Sequence, residues 1–174
     1  MSTRAALLLA LSWTVGSASA CGAPGRETTP PYPTAQVTLA GTELQVEVAN
    51  SFERRAQGLS GRAELPAGHG MLFPYSRPDR YGFWMHGMRF DIDIVWIRGG
   101  QVVDVTSRAP HRVAPPLPVY RPREPADLVL EVPAGTAERL GWGPGTPVAV
   151  RTRTGPWDPR RAARPAARPG EASR

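Results

Sequence analysis

The chain contains no lysine and only one cysteine. All 21 of its basic residues are arginines, set against 15 acids. A single thiol cannot close an internal disulfide, so no disulfide framework organises the fold. Also missing are a Gly-x-Ser-x-Gly elbow, a His-Glu-x-x-His helix and a glycine loop for phosphate. These absences remove the usual signatures of α/β hydrolases, zinc proteases and nucleotide enzymes. The formal charge of +6 suggests a nucleic-acid partner only until its distribution is read. Between Gln36 and Val150, twelve arginines balance twelve acids. The excess lies in Arg151, Arg153, Arg160, Arg161, Arg164, Arg168 and Arg174. A nucleic-acid binder carries its basic stripe on a folded face, so no such partner is expected.

The lone cysteine, Cys21, carries an address. Before it stand Arg4, an apolar stretch of eleven residues from Ala5 to Val15, and Gly16-Ser17-Ala18-Ser19-Ala20. One positive charge, a short apolar core and a small-residue exit are the parts of a secretory signal peptide. The stretch is too short to cross a bilayer, which takes about 20 apolar residues. Two processing routes suit these residues. Ala18-Ser19-Ala20-Cys21 resembles a bacterial lipobox, with Ala18 where leucine is commonest, and Ala18-x-Ala20 also suits general signal peptidase. A lone free thiol is a liability outside the cytoplasm, and lipidation at Cys21 accounts for it. Acyl chains on Cys21, at ~0.8 kcal/mol per buried methylene, would hold the protein to a membrane.

These observations divide the chain into a signal peptide at 1–20, a Pro/Thr-rich linker at 21–35, a body at 36–153 and an Arg/Pro/Ala-rich tail at 154–174. Both linker and tail read as disordered from composition. The body reads as one α+β domain, mainly β: a compact sheet-rich barrel or sandwich with two short helices. Leu44, Val46 and Val48 alternate with Gln45 and Glu47, a half-buried strand that can pair with Gln36–Leu39. Gly99-Gly100 between the apolar runs Ile94–Arg98 and Gln101–Thr106 predicts a hairpin. Leu128–Val132 and Val148–Thr152 add strands, and Gly82–Met88 is a further candidate. Asn50 with Glu53 reads as a capping box opening a helix that carries Phe52, Ala56 and Leu59 on one face. Ala134–Leu140 reads as the second helix. Residues 107–127 hold six prolines and form a long irregular loop.

Four blocks occur in order at tight spacing: Arg55-x-x-Gly58-Leu59-x-x-Arg62, Gly70-Met71-Leu72-Phe73, Phe83-Trp84-Met85 and Ile92-Asp93-Ile94-Val95-Trp96-Ile97. With Tyr120 and the run Leu128–Ala137, they resemble the bacterial and archaeal family called domain of unknown function 192. The resemblance spans about residues 38–151. It implies a compact β-rich domain, often exported, with no established activity. The chain departs from the family pattern at His86, where a longer basic residue is frequent, and at Asp91, where proline is frequent.

Three constellations could carry chemistry. Trp84, His86 and Asp93 with Arg55 and Arg62 supply an aromatic platform, a carboxylate and guanidinium forks. Such a set suits a small polar ligand such as a sugar or a carboxylate-bearing metabolite. The same residues suit a structural role, with Asp93 pairing Arg55 or Arg62 to pin the helix to the sheet. His69, Met71, Met85, His86, Met88 and His111 offer soft donors of the kind that bind copper, although methionines more often fill cores. Asp91 and Asp93, two apart on a strand, could form an acid/base pair in a hydrolase-like enzyme. The leading expectation is an exported, lipid-anchored module that binds a small polar ligand at the cell surface. It involves no catalytic residues, no resident metal and no cofactor.

Overall fold

The structure, a computed structural model, describes residues 32–152 and a two-residue strand at 155–156. The expected signal peptide, Cys21, most of the linker and most of the tail lie outside the described residues. The first two strands follow from alternation. β1 (Thr34–Leu39) and β2 (Thr42–Val48) bury Val37, Leu39, Leu44, Val46 and Val48 and turn their polar residues outward. They pair antiparallel across Ala40 and Gly41, both at positive φ (44° and 82°). The expected glycine hairpin joins β4 (Ile92–Arg98) to β5 (Gln101–Ala109), with Gly99 at φ 58° and Gly100 at φ 80°. Two consecutive positive φ angles match the twist of the strands they connect.

The remaining elements are α1 (Phe52–Gln57), β3 (His69–Asp79), β6 (Ala126–Pro133), α2 (Thr136–Arg139), β7 (Val148–Thr152) and β8 (Gly155–Pro156). All eight strands form one sheet in the order β5-β4-β6-β3-β2-β1-β7-β8. Among the named pairs, β2–β3 is the parallel one. A parallel neighbour cannot be reached by a tight turn. The chain therefore crosses over through residues 49–68, which carry α1.

The central strands are buried on both faces. Every residue from Ile92 to Ile97 is buried, and alternate side chains enter different clusters. Leu72, Val95, Ile97 and Leu130 pack with Val37, Val46, Ala137 and Trp142. Met71, Phe73, Ile94, Trp96 and Val129 pack on the other face with Leu59, Phe83 and Met85. At one end the sheet bends toward closure. Gln101 bridges Pro147, Val102 N–H donates to the Thr146 carbonyl (2.9 Å), and Val148 N–H donates to that of Gly100 (2.8 Å). The domain is thus nearer to a barrel than to a sandwich.

Three local expectations change. The cap of α1 is Ser51 rather than Asn50: Ser51 Oγ accepts the Arg54 N–H at 3.2 Å. Phe52 lies on the outside of that helix, 76% exposed, while Leu59 reaches the core only after the helix has ended. The segment 82–88 forms no strand; Phe83 alone makes a bridge, to Tyr120. In exchange β3 appears, eleven residues long, where the sequence reading had no strand; it carries Pro74 and Pro78. Its pairing with β6 shifts register between Pro74 and Asp79, which accommodates the prolines.

Candidate pocket over Glu131

The pocket is assembled where the crossover meets the segment that follows β3. Gly58 ends α1 at φ 50° and ψ −133°, a conformation that residues with a Cβ avoid. That turn sends Leu59 into the core. Ser60 Oγ then donates to the His86 carbonyl (2.8 Å), and Gly61 N–H donates to that of Gly87 (2.8 Å). The two segments are fastened side by side. Beneath them opens a pocket of about 80 Å³ lined by Arg55, Gly58, Tyr75, Phe83, Trp84 and Glu131, among others.

Glu131 is the unusual group. It projects from β6, opposite Met71 of β3 and Ile94 of β4, on the face that carries the aromatic cluster. Only 6% of it is exposed, and its Oε2 has no hydrogen-bond partner among the described residues. Burial pushes its carboxyl up to about 8, against the opposing pull of the Arg62 charge. At neutral pH the group is therefore mainly the uncharged acid, able both to donate and to accept. A buried polar atom without a partner is costly and calls for a specific reason.

The walls are aromatic. Phe73 meets Phe83 edge to face at 5.0 Å, and Phe83 meets Trp96 in the same way at 5.3 Å. The Tyr75 ring stacks on Tyr81 at 3.6 Å. Burial holds the Tyr75 hydroxyl protonated, pushed up to about 12. The Arg55 guanidinium lies 5.4 Å over the Tyr75 ring and forms no salt bridge among the described residues. Trp84 is 59% exposed and stacks with His86 at 5.3 Å.

Of the five ligand candidates read from the sequence, Arg55 and Trp84 line this pocket, and His86 adjoins it through its stack on Trp84. Arg62 is engaged elsewhere. It forms a bidentate fork with Glu47 (2.6 and 2.7 Å), which holds the Glu47 carboxyl below the usual carboxylate range, and it lies over the Tyr32 ring. Asp93 pairs with neither arginine. It is fully buried on the opposite face of β4, where Oδ1 accepts the N–H groups of Arg108 (2.8 Å) and Gly135 (2.9 Å) and Oδ2 accepts that of Ala137 (2.8 Å). Asp93 thus gathers the end of β5 and the entry to α2. Asp91 does not share a site with it: Asp91 accepts the His111 N–H at 2.8 Å and sits 2.6 Å from His111 Nδ1. Met71 and Met85 are core residues, and the described residues contain no group of three or more His, Cys, Asp or Glu able to hold a metal.

The sequence reading missed Glu131 as a site residue, yet a signal was present. Leu128-Val129-Leu130 is a continuous apolar run, the mark of a strand covered on both faces. An acid embedded in such a run has no solvent side to turn to.

A small curled sheet with one helical crossover roofing an aromatic pocket defines a β-rich single-domain class. Residues 35–150 match the family DUF192, described as uncharacterized ACR, and the chain belongs to that family. Two solved structures are similar. One is a protein from Sinorhizobium meliloti provisionally described as a transcription regulator, with 31% identity and a TM-score of 0.62, over 69% of this chain and 95% of that one. The other is a protein of unknown function from Novosphingobium aromaticivorans, with 28% identity and a TM-score of 0.61, over 76% and 98% respectively. No curated protein matches the chain significantly.

Proposed function

We propose that this protein is an exported, membrane-tethered module that binds a small polar ligand in the pocket over Glu131. The observation that carries the binding reading is the buried Glu131, which lines an aromatic pocket and whose Oε2 has no hydrogen-bond partner among the described residues. Bound ligand would supply the missing hydrogen bond, and exposed Trp84 would add a stacking face. The tether reading rests on Cys21 and the residues before it. An enzymatic reading is less favoured, because Asp93 already spends its oxygens on three backbone amides. The balanced charge of residues 36–150 does not favour nucleic acid, although one solved relative is described as a transcription regulator.

Thermal-shift measurements on the full chain, with sugars, small acids, amines and amino acids at millimolar concentration, test the binding reading. Stabilisation grows as RT ln(1 + [L]/Kd), so weak binders register. At least one probe should raise the melting temperature of the wild type and fail to do so in Trp84→Ala. Shifts that are absent, or equal in both proteins, would defeat the proposal. For the tether, expression in a bacterial host should yield a processed protein in the membrane fraction, and Cys21→Ala should leave that fraction.

A further inference from the structure

We infer that the pocket takes a small zwitterion, its cationic head set against Glu131 among the aromatic faces and its carboxylate held by Arg55. This rests on the pocket being a ligand site, and it specifies the ligand. The decisive observation is that two potentially opposite charges line one pocket without joining. No ion pair links Arg55 to Glu131; Glu131 Oε2 is unpartnered, and the Arg55 guanidinium, with only the exposed Glu53 acting on it from its own helix, forms no salt bridge among the described residues. A purely anionic ligand would answer Arg55 and leave the Glu131 carboxyl unmatched. A purely cationic one would do the reverse.

The walls and the volume narrow the class further. Phe73, Tyr75, Phe83 and Trp84 all line the pocket. Aromatic faces attract ammonium groups, most strongly where water is excluded. The pocket opens to solvent, and its volume of about 80 Å³ holds only a few groups. A short amino acid or a small betaine can seat both its charges there, whereas most of a nucleotide or a disaccharide would lie outside.

Binding of this kind moves a proton. The empty pocket holds Glu131 mainly as the acid. When a cationic head arrives, the carboxyl ionises, the carboxylate pairs with the cation, and the proton passes to solvent. The charged and titratable groups beside Glu131 are Arg55 on α1, Arg62 just beyond it and Tyr75 on β3. The Arg62 charge favours the ionised form, and Tyr75 stays neutral.

Titration calorimetry on the full chain at pH 7 tests this. The probes are glycine and glycine betaine as zwitterions, methylammonium and acetate as single charges, and glucose as a neutral control. At least one zwitterion should bind about tenfold or more tighter than any control. Its apparent enthalpy should differ between phosphate and Tris buffers by close to the difference between the two buffers' ionisation enthalpies, as for the release of one proton. Glu131→Gln should abolish that buffer difference. Arg55→Gln should weaken zwitterion binding and leave methylammonium unchanged, with circular dichroism confirming that both variants fold. A control probe that binds as tightly as the zwitterions, and is lost in Trp84→Ala, would overturn the zwitterion and leave the pocket standing. Failure of every probe at millimolar concentration would overturn both.

Discussion

At the scale of single residues, two buried carboxyls on opposite faces of the sheet behave differently, because only one of them is satisfied. Asp93 accepts three backbone N–H groups. Asp93→Ala strands all three, at about 1–3 kcal/mol each if they stay dry. A loss of about 3 kcal/mol or more is expected in urea unfolding, and a loss under 1 kcal/mol would show that Asp93 does not hold the α2 entry. Glu131 works in the other direction. Its carboxyl lies at about 8 in the fold, against 4.5 ordinarily. Between those values the folded protein holds a proton that the unfolded chain has released. The stability tied to this group is thus full below about pH 4.5 and falls as pH rises toward 8, by ~1.4 kcal/mol per unit. Glu131→Gln, which never ionises, should gain on the wild type over that range and level off above it. Parallel stability curves from pH 5 to 9 would contradict the buried acid. Arg55 and Trp84, which line the candidate pocket, were singled out because they stand in distinctive blocks. Glu131 was marked only by the apolar run before it, a weaker signal than a block of its own.

At the scale of elements, the hairpins were the legible part. Local chemistry dictates them: alternation in β1 and β2, and paired glycines between β4 and β5. What local patterns could not supply was β3. Its prolines argue against a strand, and it is kept by contacts distant in sequence, with β2 on one side and β6 on the other. Gly70 permits that approach. A Cβ there would lie 2.7 Å from the Glu131 carbonyl oxygen and 3.1 Å from Leu130 Cδ1. Gly70→Ala should therefore cost about 1–3 kcal/mol, the usual penalty of overpacking. Gly143 is the control, since a Cβ there meets nothing within 4 Å. Chemical denaturation of the two variants separates close packing from a general effect of replacing glycine.

At the scale of the molecule, two apolar clusters share four strands. β3, β4, β5 and β6 each send side chains into both clusters, so neither can disperse without exposing the back of the other. Unfolding should be a single transition. Trp142 reports on one cluster and Trp96 on the other. With the other tryptophans replaced, a protein keeping Trp96 and one keeping Trp142 should each give a fluorescence midpoint equal to its own far-UV circular dichroism midpoint, and midpoints that separate within one protein would reveal independent subunits of structure. A sheet-rich body, barrel or sandwich, could be read from the chain, while its closure could not. Closure depends on the backbone contacts of Gln101 and Val102 with Pro147 and Thr146, which no residue type announces.

The parallel placement of β2 beside β3 has an evolutionary consequence. Because the polypeptide must travel back along the sheet there, it lays down a canopy whose length and composition are free of the ladder beneath. Related proteins can lengthen, shorten or resurface the part of that stretch beyond the Arg55-x-x-Gly58-Leu59-x-x-Arg62 block, while the strands keep their register. Divergence among family members should therefore concentrate at residues 63–68, which a comparison of their sequences would check, with the strands beneath left alone.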